Sequence, residues 1–262
     1  MEKTDHQTFP EFSIVLVNYK TFNLTQKSLA LLKSHIDTGL NASIWVVDNH
    51  SQDESTSYLR SLDWIHLIER PAPLHPEKGF VAHGQGLNAA LEKIRTDYVF
   101  VMHTDTFVHD PAIFDQMLDT MRSTENIAAI GCLEQLNRGL IRSAWRFFSR
   151  TIKMSTRKLR MKIGINSRPT KPLKEQYIKS FFACWNVNII RQSGCSFMMG
   201  DRNPGYELQD QLKAKGYFIE TIEPKKLFKY LEHVKAGTKS TSTRLPVSVK
   251  QPIGNQRRTV AA

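Results

Sequence analysis

Polar residues that could bind an ionic ligand come at the ends of three apolar, β-rich runs of this chain. They are Asn18 and Tyr19, Asp48 and Asn49, and His103, Thr104 and Asp105. In an open α/β sheet, ligands bind beyond the carboxyl ends of the strands, where such side chains would meet. Carboxylate oxygens bind hard divalent cations, so Asp105, close to a histidine, is a candidate for holding a metal ion or a metal-bound phosphate. The alternative left open is that Asp105 only caps the turn before a helix near Asp110.

The runs themselves indicate a parallel, doubly wound sheet. Residues 97–108 form an apolar run, rich in Val and aromatic residues, that is interrupted only by the polar cluster at 103–105. Such a run is typical of a strand buried on both faces. Strands are predicted over 12–19, 43–48, 65–68, 98–106, 127–131 and 217–222, and helices over 24–32, 53–61, 86–94, 111–122 and 205–216. Such alternation is typical of an α/β fold with a mostly parallel sheet. There is no P-loop and no dinucleotide fingerprint, which disfavours a P-loop enzyme or a typical dehydrogenase.

Composition restricts the compartment and the partners. The chain has 262 residues, of which 40% are hydrophobic, enough for a substantial core without disulfides. Its three cysteines, Cys132, Cys184 and Cys195, are widely spaced, which indicates buried, reduced thiols. The N-terminus lacks the apolar core of a signal peptide, and no apolar run approaches the roughly 18 residues of a membrane span. We therefore expect a cytoplasmic protein, soluble or peripheral to a membrane, and the net charge of +11 predicts an anionic partner.

Residues 138–179 form a strongly basic segment with helical periodicity. Apolar residues share one face, and basic residues share the neighbouring stripe: Ile141, Trp145, Phe148, Ile152 and Leu159 on the first, Arg142, Arg146, Arg150, Lys153 and Arg157 on the second. This pattern predicts an amphipathic helix lying on an anionic membrane surface. The alternative is a basic helix packed on the domain with its charges in water. Nucleic-acid binding is not expected, because no recognised motif accompanies the charge and the aromatic residues are not interleaved with it.

Taken together, these residues resemble the inverting family-two glycosyltransferases of the GT-A fold, of the bacterial polysaccharide type. The resemblance rests on the first strand (13–19), the Val-Val-Asp-Asn turn (46–49), the segment 83–88, the strand 98–106 with its variant of Asp-x-Asp, and a His-x-x-x-Gly-Thr element (233–238). It covers residues 12–135 well and 180–238 loosely. It implies a Rossmann-like nucleotide-binding half (12–137), a basic amphipathic helical insertion (138–179) and a smaller acceptor-side half (180–239), between tails 1–11 and 240–262.

The resemblance also implies roles for individual residues. A nucleotide-sugar would be bound by Asn18, Tyr19, Asp48, Asn49, His83, Gly84, Asn88, His103 and Thr104, with Asp48 reading the base. Asp105 and His233 would bind a divalent cation, Mn²⁺ or Mg²⁺, that bridges the diphosphate. Where the family has Asp-x-Asp, this chain has His103-Thr-Asp105, so contact of His103 with ribose or phosphate stays open. For His83 a structural role, and for His233 a surface position, are the alternatives.

The implied activity is transfer of a sugar to a glycan or lipid-linked acceptor at the cytoplasmic face of the membrane, in cell-envelope polysaccharide biosynthesis. Inverting transfer needs a carboxylate to deprotonate the acceptor hydroxyl. Asn203-Pro-Gly205 occupies the place of the family's usual Glu-Asp pair, which leaves Asp201 as the first candidate base and Glu207 as the second, with Asp210 expected to be a surface charge. The competing functions are a nucleotidyltransferase, whose Gly- and Arg-rich phosphate loop is absent, and a non-catalytic scaffold or basic binding protein.

Overall fold

The computed structural model describes residues 9–136, 140–163 and 175–234. The strands are β1 (Phe12–Asn18), β2 (Ala42–Asp48), β3 (His66–Glu69), β4 (Tyr98–Met102), β5 (Thr106–Val108), β6 (Ile127–Gly131), β7 (Phe182–Asn186), β8 (Phe218–Thr221) and β9 (Leu231–His233). The helices are α1 (Phe22–Asp37), α2 (Glu54–Arg60), α3 (Gly79–Lys93), α4 (Ala112–Ser123), α5 (Leu140–Lys162), α6 (Val187–Gln192), α7 (Tyr206–Ala214) and α8 (Pro224–Leu227).

Within these residues, seven strands form one mixed, mostly parallel sheet in the order β3-β2-β1-β4-β7-β6-β8. Strand β1 pairs in parallel with β2 and β4, whereas β7 runs antiparallel between β4 and β6. Apolar side chains cover both faces: Leu29 of α1 and Phe114 of α4 belong to one buried cluster, and Leu87 of α3 and Leu208 of α7 to the other. This sheet confirms the predicted α/β fold. Strands buried on both faces need near-continuous apolar sequences, and β1 and β4 have them.

The run 98–106, predicted as one strand, is divided in two. Strand β4 ends at Met102, and β5 pairs with β9 in a separate two-stranded sheet. Between them, the Thr106 amide donates a hydrogen bond to the His103 carbonyl (3.1 Å), which closes a turn. The Thr106 hydroxyl also donates to the Phe181 carbonyl (3.0 Å), so the turn is fastened to the segment before β7. The polar residues 103–105 therefore leave the main sheet at its carboxyl edge.

Helix α3 begins at Gly79, seven residues before the position that we predicted from the sequence. The two central glycines, which disfavour a helix by propensity, are required by packing. A Cβ atom at Gly84 would lie 2.7 Å from Met198 Sδ and 2.8 Å from Met198 Cβ, and one at Gly86 would lie 3.0 Å from Val17 Cγ1. Tertiary contact thus overrides propensity, and it places His83, Gly84 and Asn88 on a helix. Helix α1 likewise begins at Phe22, two residues before the start that we predicted at residue 24.

Replacing Gly84 by Ala is expected to lower the free energy of unfolding by about 1 to 3 kcal/mol, because the added methyl group overpacks α3 against Met198. Chemical denaturation measures the change. Gly79→Ala is the matched control in the same helix, since a Cβ there meets nothing within 4 Å. Equal denaturation midpoints for the two variants would show that the 196–204 loop moves to accommodate the methyl group without loss of stability.

The remaining sequence expectations fall partly outside the described residues. The three cysteines are buried and free, as predicted. Residues 1–8, 137–139, 164–174 and 235–262 are not described; they include most of the predicted N-terminal tail, parts of the basic segment, the end of the 233–238 element and the whole predicted C-terminal tail. Among the described helices, none combines the length and the apolar character that crossing a membrane requires.

Candidate functional site

A cleft of about 860 Å³ opens at the carboxyl edge of the parallel strands. Its walls include residues that directly follow four strands: Tyr19 after β1, Asn49 after β2, Arg70 after β3 and His103 after β4. The fold therefore brings the carboxyl ends of these strands together, as predicted. Of the predicted binding residues, those on the cleft wall are Tyr19, Asn49, His83, His103, Thr104 and Asp105.

Asp48 lies beneath the cleft and organises the loop beside it. Strands β1 and β2 are in register with Asn18 opposite Asp48, and the Asn18 amide donates to Asp48 Oδ1 at 2.8 Å. The carboxylate also accepts from the Ser51 amide (3.3 Å) and the Thr56 hydroxyl (3.1 Å). Asp48 is buried and neither it nor Asn18 is part of the cleft wall, whereas Asn49 next to it is. Contact between Asp48 and a base remains a prediction.

Asp105 and two histidines form a cluster at the floor of the cleft. The pairing of β5 with β9 sets Thr106 opposite His233, and the Val234 amide donates to the Asp105 carbonyl at 2.9 Å. As a result, His233 Nε2 lies 3.2 Å from Asp105 Oδ1, and His103 Nδ1 lies 3.8 Å from the same oxygen. His233 is buried, so it is not the surface residue that the alternative interpretation required. One potential metal-ligand atom from each of the three residues lies within 4.8 Å of the other two.

The surroundings of His83 and His103, both of which are partly buried in the cleft wall, affect their charge. Burial, assisted by nearby His103 and opposed by Asp105, lowers the pKa of His83 to about 3. Burial also lowers the pKa of His103 to about 4, although Asp105 opposes the shift. Both imidazoles are therefore uncharged at neutral pH. The Nε2 atom of His83 is buried and has no hydrogen-bond partner among the described residues, and its ring packs edge-to-face on that of His103, with centroids 5.0 Å apart.

Two cationic side chains in the cleft wall, Arg70 and Lys179, were missed by the sequence analysis. Arg70 donates to the Asn49 side-chain oxygen (2.9 Å) and forms a salt bridge with Glu77 (3.3 Å). Lys179 donates to the Tyr206 hydroxyl (2.6 Å). The rule on strand ends could have identified Arg70, which follows β3 directly. No pattern identifies Lys179, because its position depends on how the chain returns to the sheet at the end of the basic segment.

Two predicted nucleotide-binding residues have packing roles. The Asn88 side-chain oxygen accepts hydrogen bonds from the amides of Phe197 (2.8 Å) and Met198 (3.2 Å), so Asn88 holds the 196–198 loop against α3. Gly84 provides the close contact with the same loop. Neither is part of the cleft wall. Both support the wall indirectly, because Pro204, at the end of that loop region, lines the cleft.

The candidate general bases lie near the cleft but not on its wall. Asp201 is exposed in the turn before α7, two residues from Asn203, which does line the cleft. Glu207 forms a salt bridge with Arg202 (3.2 Å), and Arg202 also binds Asp210 (2.6 Å). The predicted surface charge of Asp210 is thus part of an ion-pair cluster. Among the described residues, the carboxylates on the cleft wall are Asp105 and Glu77.

Comparison with known proteins gives a matching family model and solved structures of similar fold. The family model described as Glycosyl transferase family 2 matches residues 13–191. A search of the curated proteins gives no match. The chain is similar to a mannosyltransferase from Pyrobaculum calidifontis solved in complex with GDP-Man and Mn²⁺ (13% identity, TM-score 0.55, covering 83% of this chain and 56% of that one). It is also similar to glucosyl-3-phosphoglycerate synthase from Mycobacterium tuberculosis solved with Mn²⁺, UDP and phosphoglyceric acid (17% identity, TM-score 0.50, covering 81% and 68%).

Proposed function

We propose, because the chain belongs to Glycosyl transferase family 2, that it transfers a sugar from a nucleotide-sugar donor to a hydroxyl of a glycan or lipid-linked acceptor, with inversion at the anomeric carbon. The observation that supports this most is the cleft at the strand ends, whose wall combines Asp105 with Arg70 and Lys179. A departing nucleoside diphosphate carries several negative charges, and pre-positioned cations stabilise such charge as it develops. The chain spans little more than half of the mannosyltransferase that it resembles, so donor and acceptor are part of the proposal.

The residues present fit a divalent cation at Asp105 and His233. Their facing atoms, Asp105 Oδ1 and His233 Nε2, are 3.2 Å apart, close to the roughly 3 Å that separates two ligand atoms each about 2.1 Å from one ion. When bound, the cation would supply charge stabilisation to the diphosphate. In the proposal Arg70 and Lys179 bind further phosphate oxygens, and Tyr19 and Asn49 contact the nucleoside, with Asp48 reading the base or supporting the loop that does.

We assign the general base to Asp201, with Glu207 as the second candidate. A base must be free to accept a proton from the acceptor. The Glu207 carboxylate is engaged by Arg202, whereas Asp201 is exposed and forms no salt bridge with any residue that the structure describes. Asp201 also lies in the segment that ends at Asn203 and Pro204 on the cleft wall.

Thermal-shift measurements with a panel of nucleotide-sugars, each with Mn²⁺ or Mg²⁺, test the donor half of the proposal. A ligand that binds only the folded protein raises the unfolding temperature, by an amount equivalent to about 2.7 kcal/mol when its concentration is 100 times Kd. The donor that shifts the protein should then release its nucleoside diphosphate in the presence of acceptor. Release of pyrophosphate from a nucleoside triphosphate and a sugar phosphate would instead identify a nucleotidyltransferase. Stabilisation without any turnover would favour the non-catalytic scaffold.

We further propose that α5 binds an anionic membrane surface. Its apolar side chains at i, i+3, i+7 and i+14 are turned to solvent: Trp145 (71% exposed), Phe148 (59%), Ile152 (48%) and Leu159 (61%). This supports a lipid contact over a helix packed on the domain by its apolar face. The basic stripe beside this face is complementary to anionic headgroups. Arg150 is an exception within the stripe, because it binds Glu175 (2.7 Å) and so ties α5 to the folded domain.

Reversing two charges of α5 should therefore weaken membrane binding. Lys153→Glu with Arg160→Glu reverses two exposed charges of α5, Lys153 in the stripe and Arg160 near the end of the same helix. Each Lys or Arg near an anionic surface contributes about 1 kcal/mol, so binding should fall at least about tenfold. Co-sedimentation with vesicles of phosphatidylserine and phosphatidylcholine measures it. Lys225→Glu with Lys226→Glu, exposed on α8, is the control with the same change in net charge. Equal loss of vesicle binding in both variants would mean that binding depends only on the overall charge of the protein.

A further inference from the structure

We infer that His103 is a third ligand of the cation site, and that the set of two imidazoles and one carboxylate selects a first-row transition-metal ion over Mg²⁺ or Ca²⁺. The inference rests on the proposed function, whose cation site it specifies. One potential ligand atom from each of His103, Asp105 and His233 lies within 4.8 Å of the other two, a spacing that a single ion can bridge.

The hydrogen bond of His233 determines which of its nitrogens can bind a cation. His233 Nδ1 lies 2.9 Å from the Gln135 carbonyl oxygen. A carbonyl oxygen only accepts, so Nδ1 must carry the proton, and in a neutral imidazole Nε2 then has the lone pair. That lone pair faces Asp105 Oδ1 at 3.2 Å. Two acceptors at this distance repel each other unless a positive charge lies between them, and a divalent cation provides it.

The contacts of His103 allow the same arrangement with its two nitrogens exchanged. Its Nε2 lies 3.0 Å from the Ser180 hydroxyl, which can accept a hydrogen bond from an Nε2–H group; in that tautomer the lone pair is on Nδ1. Nδ1 in turn lies 3.8 Å from Asp105 Oδ1. An outer partner that holds the second ring nitrogen is the usual feature of metal-binding histidines, because it fixes both the tautomer and the ring orientation. The ring is also confined by His83 and His233, whose centroids lie 5.0 and 5.9 Å from its own.

The chemistry of the donor set decides which ions it favours. Mg²⁺ and Ca²⁺ bind oxygen ligands, and Mg²⁺ in particular retains water and prefers carboxylates. Imidazole nitrogen favours the first-row transition metals, with affinity rising from Mn²⁺ through Fe²⁺ to Co²⁺ and beyond. With one carboxylate and two imidazoles, Asp105, His103 and His233 form a nitrogen-rich site. A second carboxylate in place of His103 would raise the affinity of the site for Mg²⁺ relative to the transition-metal ions.

Direct cation binding to the full-length protein, without nucleotide, tests the inference. Calorimetry and thermal shift are measured with Mg²⁺, Mn²⁺ and Co²⁺ on tag-free protein, and the absorption spectrum of bound Co²⁺ reports nitrogen ligation. We expect Co²⁺ to bind more tightly than Mn²⁺, and Mg²⁺ to produce no shift at equal concentration. Losing a ligand should cost at least as much as losing an outer partner, so His103→Ala should weaken Co²⁺ binding by about 10- to 100-fold or more. Ser180→Ala should give a smaller loss of the same kind.

His103→Asp is the decisive variant, because it keeps a ligand at this position but replaces nitrogen by oxygen. The ratio of Co²⁺ to Mg²⁺ affinity should fall by about tenfold or more. His66→Asp, at an exposed histidine on the opposite edge of the sheet, is the matched control and should leave the ratio unchanged. An unchanged ratio in His103→Asp, or equal responses of the wild type to Mg²⁺ and Co²⁺, would overturn the inference.

Binding of a nucleoside diphosphate separates this inference from the proposed function. If Co²⁺ binds as expected but neither UDP nor GDP binds in any condition, the metal site stands and the proposed function fails. If UDP or GDP binds equally well with Mg²⁺ and with Co²⁺, and His103→Asp alters neither, the function stands and the ligand role of His103 fails. If no cation binds at all, a proton on His233 Nε2 would explain its short distance to Asp105 Oδ1. That outcome would overturn the inference as well.

Discussion

Asp105→Asn should abolish the metal-dependent part of nucleotide binding and, with it, turnover. The substitution keeps the size of the side chain but removes its negative charge, and hard cations depend on carboxylate charge for affinity. Calorimetry with a nucleoside diphosphate, with and without Mn²⁺, should therefore show that the stimulation by metal disappears. Raising the cation concentration should recover only part of the loss.

The fold makes this a clean experiment. The Asp105 backbone is held by β5 and β9 through the bond from the Val234 amide, so the turn should survive loss of the side-chain charge. Unfolding curves of the variant check that assumption. Nucleotide binding by Asp105→Asn that is still fully stimulated by metal would place the cation elsewhere or show that the enzyme does not use one.

Asp48→Ala is the contrasting variant, expected to weaken nucleoside binding even without metal. A buried hydrogen bond made by a charged group is worth on the order of 1 to 3 kcal/mol. Loss of Asp48 could weaken nucleoside binding in a second way, because Asp48 also binds Ser51, in the loop that contains Asn49, and Asn18 at the end of β1. Ser51→Ala removes part of that network without removing the carboxylate. If only Asp48→Ala weakens binding, Asp48 contacts the base; equal losses in both assign it to supporting the loop.

Asp201→Asn should lower the rate of transfer by about 10² to 10⁴, the usual cost of removing a general base, while donor binding stays near the wild-type value. The rate at saturating donor and acceptor measures the first effect, and thermal shift with donor measures the second. Asp201 is exposed and lies in the turn before α7, so the substitution should leave the stability of the fold unchanged.

Glu207→Gln serves as its counterpart, because Glu207 is near the same segment but is engaged by Arg202. It should keep most of the activity. An inactive Glu207→Gln beside an active Asp201→Asn would reverse the two roles. Activity in both variants would mean that neither carboxylate is the base and that another group accepts the proton.

The sequence by itself determined the class of fold and the chemistry at the strand ends. Buried parallel strands require continuous apolar runs, and the runs ending at Asn18, Asp48 and Met102 are visible without coordinates. The place where such a run stops is local information, because it is the change from apolar to polar side chains. For this reason Tyr19, Asn49, His103 and Asp105 could be predicted to share one edge of the sheet.

Only the tertiary structure decided which distant residues complete the site. His233 lies more than a hundred positions after Asp105, and the antiparallel pairing of β5 with β9 brings the two side chains together. Lys179, the last residue of the basic segment, also lies in the cleft wall. The same holds for the start of α3, which propensity placed too late because Gly84 is poor in an isolated helix yet necessary against Met198. Local propensity and periodicity contain no information on contacts between segments far apart in the chain. Here those contacts determine both the start of α3 and the approach of His233 to Asp105 in the proposed cation site.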